Sequence, residues 1–127
     1  MKLAILLTLI GTFQITSYRS IKEQTDNSPF NTSTGERVSP DGIAVSQDLL
    51  CPRCLKLMAR CNQIDTKKLH YGQWVYIKHV GLKRINDVMN KRHKNRMDVW
   101  VATLEQEKEF HKLYKNVKLE VYRVEDK

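Results

Sequence analysis

The chain opens on an apolar run from Leu3 to Phe13, with one lysine before it and small polar residues after it (MKLAILLTLIGTFQITSYRS). This run decides how much of the sequence is left to fold. It is too short to cross a bilayer as a helix, which takes about 20 apolar residues. Its charged start, greasy middle and small-residue exit follow the pattern of a secretory signal peptide. Residues 1–17 are therefore expected to be removed, with the cut between Ser17 and Ser20, and the protein to be secreted. Every apolar run after Ser20 is broken by charge within a few positions, so no transmembrane span is expected.

What remains has the size of one domain. Residues 18–47 begin as YRSIKEQTDNSPFNTSTGERVSPD, rich in Ser, Thr, Asn and Asp with Pro29 and Pro40. They read as a flexible leader with too little apolar spacing to order itself. Within it Asn31-Thr32-Ser33 is a glycosylation acceptor at Asn31 in an exported chain.

Residues 48–127 read as a single α/β domain. Pro52 suits a first helical turn, and Cys54, Leu55, Leu57, Met58 and Cys61 continue at helical spacing. Gln73–Val80 is rich in β-branched and aromatic residues and predicts a strand. Leu82, Ile85, Val88 and Met89 mark one face of a second helix. Asp98–Leu104 is almost wholly apolar, as a central strand would be. Thr103 and Gln106 form a capping box, which opens a helix with Phe110, Leu113 and Tyr114 inward. Val117–Val124 alternates like a half-exposed edge strand. The expected fold is a small sheet of three strands with interleaved helices, four strands if Gly42–Ser46 is counted.

The net charge of +8 is concentrated. Between Lys67 and Arg96 stand nine basic residues and a single acid, Asp87. A field that local favours an anionic partner, a sulfated glycan or an acidic protein face. Lys83 and Arg84 would lie in the first turn of the second helix, and Lys91, Arg92, Lys94 and Arg96 at its end. Together they form the expected ligand-binding face. No aromatic-interleaved motif argues for nucleic acid.

The only cysteines are Cys51, Cys54 and Cys61. With Cys51 as N-cap, the helix start would lower a thiol pKa. Cys51-Pro52-Arg53-Cys54 resembles the active-site tetrapeptide of thioredoxin-fold oxidoreductases, glutaredoxins among them. That resemblance implies a catalytic dithiol, Cys51 as nucleophile and Cys54 as resolving thiol. The family's later cis-proline has no counterpart, since no proline follows Pro52. A second reading takes Cys51, Cys54, Cys61 and His70 as a tetrahedral zinc set, although export favours oxidation over metal loading. The plainest reading is a short disulfide or a pair of buried thiols. Cys61, too far along a helix to pair with Cys54, suggests a covalent homodimer or a free thiol. No metal is assigned and no cofactor is expected.

These observations lead to a small secreted basic protein that acts by binding, as a ligand or effector, through its cationic helix face. The alternative is a secreted thiol–disulfide oxidoreductase.

Overall fold

The computed structural model describes residues 5–20, 32–58 and 68–126. Its elements are β1 (Ile5–Tyr18), β2 (Gly42–Val45), α1 (Pro52–Leu57), β3 (Trp74–Ile77), β4 (Gly81–Val88), β5 (Arg96–Trp100), α2 (Leu104–Tyr114) and β6 (Lys118–Asp126). The strands close in the order β1-β5-β2-β4-β3-β6. Two neighbouring pairs, β1 with β5 and β2 with β4, are parallel, and the rest are antiparallel.

The expected α/β sheet is thereby overturned: 45% of the described residues are strand and 20% helix. Three segments account for the difference. The first is Ile5–Tyr18, set aside for removal in the sequence reading. It is the longest strand, paired with β6 from Ile5 to Gln14 and with β5 from Gln14 to Tyr18. Its alternation sends Phe13 and Ile15 into the core. A register shift between Leu9 and Gly11 bends it, and Gly11 takes φ +146° with the Phe13 ring lying over its missing side chain.

The second is Gly42–Val45, which lies between β4 and β5 with all its residues buried. The third is Gly81–Val88, expected as a helix. Ile43 pairs with Ile85 but Ala44 pairs with Asp87, so Asn86 is an extra, bulged residue. The bulge shifts the phase by one, and a strand with that shift imitates the three-residue spacing of Ile85 and Val88. Asn86 turns inward against Gly42, where a Cβ would stand 2.8 Å from Asn86 Nδ2.

Other expectations held more closely. Cys51 caps α1 with Pro52 at its first position, and Met58 in left-handed conformation ends it. Both hydrogen bonds of the Thr103–Gln106 capping box are present. Phe110 and Tyr114 pack on the core, whereas Leu113 is exposed. The last strand lies between β1 and β3, so it is not an edge; closure leaves the barrel none.

The barrel interior is filled by alternate residues of every strand, among them Ile15, Ile43, Val45, Val75, Ile85, Met97, Val99 and Val121. Leu50, Cys51, Cys54, Leu69 and Tyr71 extend the same core beyond the strands. Among the described residues no helix is long and apolar enough to cross a membrane.

Candidate functional site

The same alternation that fills the interior fixes what faces outward. Ile15, Met97, Ile43 and Val45 point in, so Thr16, Asp98 and Ala44 point out. Register places them on one line: Thr16 opposite Asp98, Asp98 opposite Ala44, and Ala44 opposite Asp87. Two carboxylates thus flank an alanine on the outer wall. With strands about 4.8 Å apart, their Cα atoms are separated by about 10 Å, and Ala44 between them is buried. Tyr18, Met89 and Trp100, each two residues further along its strand, pack with Ala44 in a small second cluster.

The two acids are held differently. Asp98 Oδ1 accepts a 2.9 Å hydrogen bond from Thr16 Oγ1, and the residue keeps part of its surface exposed. Its pKa is pushed up to about 6, above all by burial of the carboxylate. The Thr16 bond and the Arg96 charge oppose that rise, while the Asp87 and Glu107 charges add to it. Asp87 Oδ1 accepts from the Ser33 amide at 3.0 Å, from the Val88 amide at 2.8 Å and from the Ser33 hydroxyl. Tyr18 is raised well above its ordinary value by burial and by the charges of Asp87 and Asp98, to the first of which it hydrogen-bonds. It stays a neutral phenol.

A cleft of about 940 Å³ runs alongside, between α2 and the β1–β5 strands. Thr16, Arg96 and Glu107, which surround Asp98, stand on its wall. Lys94, Lys108, Lys115 and Lys118 line it too, against Glu107 as its acid. Glu107 itself is held by Arg19 at 3.2 Å.

The basic residues expected on one helix face are dispersed, because that helix is β4. Lys83 donates to the Pro40 carbonyl at 2.6 Å. Arg84 is paired with Glu36 through both guanidinium ends, one bond at 3.1 Å. Neither joins the others. Lys91, Arg92 and Lys94 are exposed on the turn between β4 and β5, and Arg96 begins β5. That turn lies at the barrel end nearest the two acids, since Met89 bonds to the Val45 carbonyl and Arg96 to Ser46.

Cys51 and Cys54 are thiols and not a disulfide. They are 3% and 0% exposed, which withholds both sulfurs from the protein disulfides that an oxidoreductase must reach. His70 joins them, its Nδ1 3.6 Å from Cys54 Sγ. Asn31 and Cys61 lie outside the described residues.

Sequence reasoning passed over Asp87 and Asp98. A signal was there for Asp98, an acid set among Met97, Val99 and Trp100, whereas Asp87 follows Lys83, Arg84 and Asn86 and does not stand out. Their juxtaposition depends on strand order, which no local pattern carries. No protein-family model matches the chain, and none of the curated proteins does. Fold and site together define a closed mixed barrel with a carboxylate pair beside a cationic cleft.

Proposed function

We propose that the protein is an acid–base enzyme that cleaves glycosidic bonds in an anionic polysaccharide. The observation that carries this reading is the outward line Asp98–Ala44–Asp87, in which one carboxyl holds its proton to about pH 6 beside a second that is fixed by four donors. Paired carboxyl groups in unlike environments divide into an acid and a charged partner.

Asp98, protonated, gives its proton to the glycosidic oxygen as the carbon–oxygen bond breaks. Asp87 faces the positive charge that develops at the sugar carbon. A water adds to that carbon and returns its proton to Asp98, which restores the acid. Lys94, Lys108, Lys115 and Lys118 along the cleft attract the polymer, and the exposed Lys91 and Arg92 extend that field.

The test is release of reducing ends from sulfated and uronic-acid polysaccharides by the full chain. Asp98→Asn is expected to abolish release, and paired Lys94→Glu and Lys108→Glu to raise KM. Release that survives Asp98→Asn overturns the assignment. A second reading rests on the exposure of Lys91, Arg92 and Lys94: the protein binds an anionic glycan or acidic protein face without cleaving it. Salt-sensitive binding with no bond cleavage would favour that one.

A further inference from the structure

Beyond the strands, the core extension carries a second cluster of chemistry-bearing groups that the proposed reaction does not use. One donor atom from each of Cys51, Cys54 and His70 lies within 4.8 Å of the other two. We propose that these three residues bind a zinc ion that fastens α1 to the Leu69–Tyr71 segment.

The distances suit the ion. With Zn–S about 2.3 Å and Zn–N about 2.0 Å, a tetrahedral site has ligand-to-ligand edges of about 3.5 to 3.8 Å. Cys54 Sγ and His70 Nδ1 stand 3.6 Å apart, so this edge already has its ligated length. Two thiolates and an imidazole select zinc over the hard cations, which take oxygen. Cysteines separated by two residues at a chain turn are also a usual zinc half-site.

The backbone aligns both halves before any ion arrives. The Cys51 amide donates to the Leu69 carbonyl at 2.7 Å, and the Leu69 amide to the Leu49 carbonyl at 2.8 Å. These bonds set the residue before His70 beside the first cysteine. Gln73 Oε1 accepts from the His70 amide at 3.2 Å and fixes the turn that presents the imidazole. Packing alone accounts for buried thiols, but it does not call for a half-exposed imidazole held against them. Zinc would replace two protons on sulfur and add a link between segments already joined by the Leu50–Leu69 bridge and by the Lys68 ammonium on the Asp48 carbonyl.

The site stands independently of the glycosidase reading. To test it, the full chain is reduced, stripped of metal and titrated with Zn²⁺ under native mass spectrometry, and with Co²⁺ under absorption spectroscopy. One bound zinc per chain is expected, together with the sulfur-to-cobalt charge-transfer and strong visible bands of a tetrahedral thiolate site. Cys51→Ser and His70→Ala should each weaken zinc binding by about 100-fold or more. Failure to retain zinc, or cobalt bound without the thiolate bands, would overturn the proposal, and neither readout needs a folded variant. Undiminished affinity in His70→Ala would overturn it equally.

Discussion

Thr16 and Asp98 face each other across the parallel β1–β5 pair, with the threonine hydroxyl donating to the carboxylate at 2.9 Å. A residue from the opening strand thus tunes the acid at the centre of the site. The bond favours the charged form of Asp98, so it holds the pKa below where burial alone would put it. Thr16→Val should move the Asp98 titration upward from about 6. The carboxyl carbon resonance of Asp98, followed by NMR against pH, checks this; a downward move contradicts it.

Asp98 also costs stability in its charged form. Its folded value of about 6 lies above the ordinary 3.8, so the native state holds the extra proton between those limits. The group's stabilising contribution is complete below about pH 4 and is lost as pH rises through about 6. The difference is at most about 3 kcal/mol. Asp98→Asn should therefore raise the unfolding free energy at pH 7 by about 1–3 kcal/mol and change little at pH 4. Denaturant melts at the two pH values decide.

Ala44 is buried between the acids. Ala44→Leu should disturb its packing with Tyr18, Met89 and Trp100 at a cost of about 1–3 kcal/mol. It should also remove glycan cleavage, because the added atoms lie between Asp87 and Asp98. Circular dichroism and the reducing-end assay separate the two effects.

Arg84 and Arg92 offer a control pair. Arg84 is occupied by Glu36, with both side chains part-exposed, and Arg84→Ala should cost under about 1 kcal/mol and leave glycan binding unchanged. Arg92 is exposed on the β4–β5 turn, and Arg92→Ala should weaken binding, most visibly at low salt. Affinity measured at two ionic strengths tests the contrast.

The opening strand carries Phe13 and Ile15 and supplies partners to β5 and β6. A chain beginning at Tyr18 should lose cooperative unfolding, because two strands would be left with open edges and the core with a breach. A sharp thermal transition in that shortened chain would contradict the barrel.

Legibility followed the range of the interactions. The helix from Leu104 was readable because Thr103 and Gln106 satisfy each other within four residues. Val75 and Ile77, and Leu119 and Val121, announced strands by composition and alternation. Ile5–Tyr18 was not read as a strand because a greasy run bounded by polar residues fits both an export signal and a barrel stave. Gly81–Val88 was misread because the inserted Asn86 breaks the two-residue period. The spacing of Cys51, Cys54 and His70 was visible, but their approach depends on the Cys51–Leu69 backbone bond. Asp87 and Asp98 met only through Ala44, on a strand whose four residues barely mark the sequence.

Closure by the first and last strands also sets a timetable for biosynthesis. Leu7 pairs with Val124 and Leu9 with Tyr122, so that side of β1 stays uncovered until β6 has been made. Ring closure over such a separation is slow. Until then Leu6, Leu7 and Leu9, exposed even in the closed barrel, stand on an open strand edge that invites pairing with other chains.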